Sequence, residues 1–190
     1  MRDMLKPTLS LLFICVFFGF CLAVVNSLTA DVIKQRVIES AQQQRKEVLP
    51  AAERFESLPV STSSEIKAAY RGVASDKTIG YVFSSTPKGY GGAINVTVGI
   101  KMDGSLSGVK IGENKETPGL GTKAAEPGFI NQYIKKSIKK VLTVVKIKPS
   151  ADNEIQAISG ATITSKAVTL AVNNSAEFAK SLIAQEVRAE

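Results

Sequence analysis

Histidine and tryptophan are absent from this 190-residue chain, and only two of its residues are cysteine. Without histidine there is no imidazole general base, no Ser-His-Asp triad and no His-ligated metal site. The two thiols, Cys15 and Cys21, lie among the first thirty residues, so the remaining 160 have no thiol or disulfide chemistry. Six residues apart on a helix is about 600°, which points the two side chains in different directions and keeps them from pairing. Clustered carboxylates and a GxGxxG fingerprint after a strand are also missing. No catalytic acid–base set, metal site or direct nicotinamide-dinucleotide site is therefore expected in the soluble part; the two thiols read as small apolar residues of the first segment, with ligation of a cluster shared between subunits as their alternative.

Charge is the next absence. From Pro7 to Ala30 there is no ionisable Asp, Glu, Lys or Arg, and four of the eight phenylalanines (Phe13, Phe17, Phe18, Phe20) fall there. As a helix, this run reaches roughly 36 Å, enough to cross a hydrocarbon core of about 30 Å with some tilt. It is long for the apolar region of a signal peptide and no small-x-small site follows, so we read it as one uncleaved membrane anchor. Arg2 and Lys6 precede the run, and Lys34, Arg36, Arg45 and Lys46 follow it. Such flanks leave the orientation open, because a long following domain translocates largely regardless of charge.

The whole chain carries 24 basic and 17 acidic residues, a net charge of +7. Beyond residue 30 the counts are 22 and 16, a net +6. A basic domain tethered to a bilayer suits anionic head groups or an acidic partner. The densest lysine stretch (Lys135, Lys136, Lys139, Lys140, Lys146, Lys148) has few aromatics to stack bases, so nucleic acid is not an expected partner and a solvated face is.

Hydrophobic periodicity divides the chain into an anchor (1–30), a membrane-proximal helix and linker (31–64) and a folded domain (65–190). Val32, Ile33, Val37, Ile38, Ala41, Val48, Leu49 and Ala52 recur at helical spacing over residues 31–56, and 57–64 read as a loop. A β-prone run from Thr78 to Ser85 is closed by Pro87, Gly89, Gly91 and Gly92. From Ile94 to Met102 apolar and polar residues alternate, which predicts a strand with one buried and one wet face. Asp103-Gly104 then signals a hairpin turn, with Leu106, Val109 and Ile111 on the returning strand. A short helix is expected over 128–138, strands over Val141–Ile147 and Ile155–Ile158, and an amphipathic helix from about Ser165 to Arg188. The class is α+β: a mainly antiparallel sheet with flanking helices.

Two turns stand out chemically. Ser159-Gly160-Ala161-Thr162-Ile163-Thr164-Ser165 leads from a strand into a helix with four hydroxyls in seven residues. Such hydroxyls cap free backbone N–H groups, and the same N–H groups and the positive dipole end attract phosphate. In Glu116-Thr117-Pro118-Gly119-Leu120-Gly121, Pro118 fixes its own φ and the glycines admit conformations closed to other residues. An apolar Leu120 held out on such a loop suits one face of a flat ring.

SGATITS resembles the flavinylation signature of the FMN-binding domain family, in which FMN is joined through its phosphate to a threonine. ETPGLG, preceded by Gly89-Tyr90-Gly91-Gly92 and the Ile94–Ile100 strand, is similar to the stretch found in the G subunit of the Rnf electron-transport complex and in the C subunit of the Na+-translocating NADH:quinone reductase. The resemblance covers nearly the whole chain, and the chain's shortness favours the Rnf subunit. It implies an FMN-binding domain behind a single transmembrane helix, with FMN esterified to Thr162 and Thr164 as the fallback acceptor. Ser159, Gly160, Ala161, Thr164 and Ser165 would surround the phosphate and ribityl chain; Glu116, Thr117, Gly119, Leu120 and Gly121 would lie near the isoalloxazine. Two departures occur. Gln156 stands where the signature usually has aspartate, and Asn114 where histidine is frequent ahead of the glutamate. Lys115 and Lys123 are placed to meet a reduced, anionic flavin or, more simply, to be solvated loop lysines.

What the resemblance implies is an electron-relay subunit of an ion-translocating ferredoxin:NAD+ oxidoreductase. The redox chemistry belongs to the cofactor, and the partners are the complex's other membrane and peripheral subunits, with a flavin transferase for maturation. It also implies a single-pass protein of the cell (inner) membrane with the FMN domain on the periplasmic or extracellular side. The equivalent quinone-reductase subunit and a flavin-free, membrane-anchored sensor or assembly module are the alternatives.

Overall fold

The uncharged run and the helical spacing that follows it join into one element. In the computed structural model, which describes residues 2–60 and 65–189, helix α1 spans Arg2–Val48. The chain divides into two compact units, one ending at Gln42 and one comprising Gln43–Glu190. Within the first, the apolar side chains are bare: Phe13 is 73% exposed and Leu22 70%. A core helix of a soluble protein buries such residues; this one is long and apolar enough to cross a membrane. The helix ends at Val48, earlier than the periodicity predicts, because Val48, Leu49 and Ala52 turn inward and become buried.

In the second unit, β1 (Arg54–Leu58), β2 (Ile66–Ala74), β3 (Lys77–Ser85), β4 (Ile94–Lys101) and β5 (Leu106–Asn114) form an antiparallel meander in that order. The hairpin at Asp103-Gly104 is as expected: Gly104 has φ +76°, and Lys101 N–H donates to Ser105 O at 2.9 Å. Strand β1 occupies positions 57 and 58, read from sequence as loop; residues 61–64 of that segment lie outside those described. The sheet and core thus begin before residue 65.

One face of the sheet meets α3 (Thr162–Ala189): Tyr81, Phe83, Val96, Val98 and Ile100 pack with Val168, Ala171, Val172, Ala176 and Ala179. The opposite face of β4 is covered at its centre, at Thr97 and Gly99, and exposed only at Asn95 and Lys101. Thr97 is buried and donates to Gln44 Oε1 at 3.1 Å, and the Val48–Ala52 stretch forms a second small core with Val82, Phe55, Tyr70 and Ile79. This close approach needs Gly99, where an added Cβ would run into the Val48 carbonyl. Period-two alternation reports one buried face and cannot show that the chain's own N-terminal segment covers the other.

The segment between β5 and α3 is mostly irregular. A 3-10 turn (Gly121–Ala125), the one-turn helix α2 (Pro127–Ile130) and a second 3-10 turn (Asn131–Tyr133) replace the expected helix over 128–138. Strands β6 (Thr143–Val145) and β7 (Glu154–Gln156) are three residues each and pair in parallel. Leu142 is tied to α3 through both its N–H and its carbonyl, each 2.9 Å from the Asn173 amide.

Candidate functional site

The cleft is built from three chain segments that meet at one carboxylate. Glu116, only 6% exposed, follows β5; its Oε2 accepts from Thr164 Oγ1 at 2.5 Å and its Oε1 from Gly91 N–H at 2.9 Å. Side chains added at Gly89 or Gly121 would strike this carboxylate. One acidic group thereby holds the Gly89–Gly92 turn, the Glu116–Gly121 turn and the first turn of α3 together. Buried carboxylates are stable only when hydrogen-bonded in this way.

The turn itself is self-bracing. Gly119 has φ +75°, and its N–H donates to Thr122 Oγ1 at 3.0 Å. Leu120, 43% exposed, projects from it. Asn114 accepts from Glu116 N–H at 3.2 Å and donates to Gly112 O at 3.1 Å, so it shapes the entry to the turn.

At the start of α3, Gly160 has φ +76°, and a Cβ there would meet Leu120 Cδ2 at 3.0 Å. The first intrahelical bond runs from Ser165 N–H to Ala161 O, so the N–H groups of Thr162, Ile163 and Thr164 precede it and have no intrahelical acceptor. The three hydroxyls diverge. Ser165 Oγ is fully buried, accepts from Ile158 N–H at 3.0 Å and donates to Ala161 O at 2.9 Å. Thr164, 1% exposed, is committed to Glu116. Thr162 alone is part-exposed at the helix start.

A cavity of about 520 Å³ opens between these segments, within the range of roughly 300–1,000 Å³ usual for small-molecule sites. Its walls bring together Glu116, Thr117, Leu120, Gly121, Gly160, Ala161, Thr162 and Thr164. Three sequence candidates are not on its wall: Ser159 and Gly119 are exposed outside it, and Ser165 braces the turn from within. Tyr90 and Ile163 line it although composition and spacing did not single them out as contacts. Their signal was present, in an aromatic between glycines and an isoleucine among hydroxyls. The departures fall outside the walls: Gln156 is backbone-paired with the Gln132 amide, at 2.8 Å from its own N–H and 3.3 Å to its carbonyl. Lys115 and Lys123 are exposed. Among the described residues no cluster of His, Cys, Asp or Glu could hold a metal.

Apolar walls, a helix N-terminus and a reachable hydroxyl suit a flat, phosphate-bearing ligand. Residues 89–177, which contain every wall of the cleft, match the FMN-binding domain, the class that the cradle defines. Over 188 residues the chain is 38% identical to the G subunit of the Na+-translocating ferredoxin:NAD+ oxidoreductase complex of Acetobacterium woodii, covering 90% of each. It is 37% identical over 170 residues to the G subunit of the proton-translocating ferredoxin:NAD+ oxidoreductase complex of Clostridium ljungdahlii, covering 90% of this chain and 88% of that one. Similarity at 31% extends to the G subunit of the Escherichia coli K12 ion-translocating oxidoreductase complex, over 86% and 84% of the two chains. The crystal structure of Shewanella oneidensis NqrC is similar over 66% of this chain and 65% of its own, with a TM-score of 0.49 and 22% identity. The chain belongs to the family of G subunits of ion-translocating oxidoreductase complexes.

Proposed function

We propose that this chain is the covalently flavinylated electron-relay subunit of a membrane-bound, Rnf-type ferredoxin:NAD+ oxidoreductase complex. The observation that carries this reading is the division of labour among the hydroxyls: Thr162 and Thr164 both line the cleft, but Thr162 is part-exposed there while the hydroxyls of Thr164 and Ser165 are buried and hydrogen-bonded to Glu116 and Ala161. Bound FMN would supply the electron transfer, since redox chemistry of this kind belongs to the cofactor.

The chain's own residues then do the following. Thr162 Oγ1 would hold the FMN phosphate as an ester, and the free N–H groups at the start of α3 would face the phosphate oxygens. Leu120 and Ile163, which line the cleft, would cover the apolar part of the ring and exclude water, and Glu116 ties the Gly89–Gly92 turn to its own turn. A tethered cofactor stays in place at any free FMN concentration. The apolar helix holds it beside the complex's membrane subunits, where effective concentration replaces affinity. A separate flavin transferase attaches the group, and the domain faces the periplasm or cell exterior.

The test is turnover of the assembled complex. In membranes carrying Thr162→Val, ferredoxin-driven NAD+ reduction is lost while the other subunits still assemble. Full turnover by the Thr162→Val complex contradicts the relay role.

A further inference from the structure

Beyond residue 42, Tyr90 is the only aromatic side chain among the described residues that is exposed, at 72%. It is not on a loose loop. Gly89 N–H donates to Gly92 O at 2.7 Å, the Lys88 and Ala93 backbones pair across the turn, and Gly91 N–H is bound by Glu116 Oε1. A Cβ at Gly89 would meet Glu116 and Ile94, and one at Gly91 would run into the Lys115 carbonyl. The backbone on both sides of Tyr90 is thus packed directly against the Glu116 turn, while Tyr90 lines the same cleft as Leu120 and Ile163. A rigid backbone presenting an exposed aromatic at a cleft is the arrangement expected of a wall that awaits a flat ligand, since aromatic rings gain from packing on one another beyond the area they bury.

We propose that Tyr90 is a ligand-contacting residue of this site, its phenol packing on the isoalloxazine ring of the FMN carried by Thr162. The proposal rests on the flavin reading above. Tyr90 is placed by the glycine turn, and Glu116 acts through Gly91 as its positioning residue.

A packed phenol has an optical signature. It gives an electron to photo-excited flavin and takes it back, which quenches flavin emission; phenylalanine does not. The chain has no tryptophan to mask the effect. Full-length protein co-expressed with a flavin transferase is measured as wild type, Tyr90→Phe and Tyr90→Leu, with intact mass recorded for each. Because the side chain is exposed, both variants fold. With one FMN per chain in all three, emission rises several-fold in Tyr90→Phe with little change in the visible absorption bands. In Tyr90→Leu it rises and the bands also shift. Equal emission from wild type and Tyr90→Phe with the adduct intact overturns the proposal alone, and so does unchanged emission with slowed electron transfer in the complex. The latter would assign Tyr90 to a partner surface. A wild-type protein without any adduct overturns the covalent reading and this inference with it.

Discussion

Thr162 and Thr164 are two residues apart and both line the cavity, yet Thr162 is part-exposed and the Thr164 hydroxyl is bound to a buried carboxylate. Replacing Thr164 with valine removes a donor from Glu116 and leaves a buried oxygen short of a partner, at a cost of about 1–3 kcal/mol. Thermal or urea unfolding of Thr164→Val should show that loss, while the FMN adduct stays on Thr162. An adduct lost from Thr164→Val and kept in Thr162→Val would reverse the assignment of the two hydroxyls. That the heptad leads into a helix was readable before the structure, because small and hydroxylated residues favour a helix start. Which hydroxyl turned inward was not, since that depends on where the first helical turn begins. Ser165 shows the difference: it reads as a phosphate contact and serves as a brace between Ile158 and Ala161.

At the scale of elements, the sheet is held from both faces. Near the far end of α3, Glu186 accepts from Thr78 Oγ1 and Tyr81 Oη, each at 2.7 Å, with Arg71 Nη2 at 3.4 Å. The Thr78 hydrogen bond, followed by that of Tyr81, lowers the Glu186 pKa; burial, followed by the Glu186 bond, raises that of Tyr81 above its ordinary value. A carboxyl whose folded pKa lies below its unfolded value adds stability above the unfolded value and loses it as pH falls through the folded one. Wild type should therefore melt above Glu186→Gln at pH 7, with the gap closing below about pH 4.5. A gap that widens on acidification contradicts the sign. On the other face, Gly99→Ala pushes a methyl into the Val48 carbonyl and should cost about 1–3 kcal/mol by urea unfolding. The β4–β5 hairpin was legible from alternation and Asp-Gly, whereas β1 and β2 were not. Arg54–Leu58 lies on an exposed edge with little apolar content, and Ile66–Ala74 lacks clean alternation because Ala69, Gly72 and Val73 are buried from two sides.

For the whole molecule, the apolar helix and the folded unit obey different solvents. Residues 43–190 form one compact unit that includes Val48, Leu49 and β1. Expressed alone, this segment should be soluble without detergent and unfold in one cooperative transition. A segment starting at residue 65 loses an edge strand and the second core and should aggregate or melt far lower. Comparable melting of the two would show that the N-terminal stretch contributes nothing to the fold. The long apolar helix was legible from its missing charges. That the chain just after it also caps the sheet was hidden, since residues 43–58 carry helical spacing and polar residues together.

The proposed relay depends on an ester between FMN and one oxygen at the start of α3, and peptide mass mapping of the full chain co-expressed with a flavin transferase tests that ester most directly. A single FMN-sized addition on the peptide holding Thr162, absent from Thr162→Val, is the predicted result. An unmodified Thr162 peptide in protein taken from a complex that still turns over would contradict it.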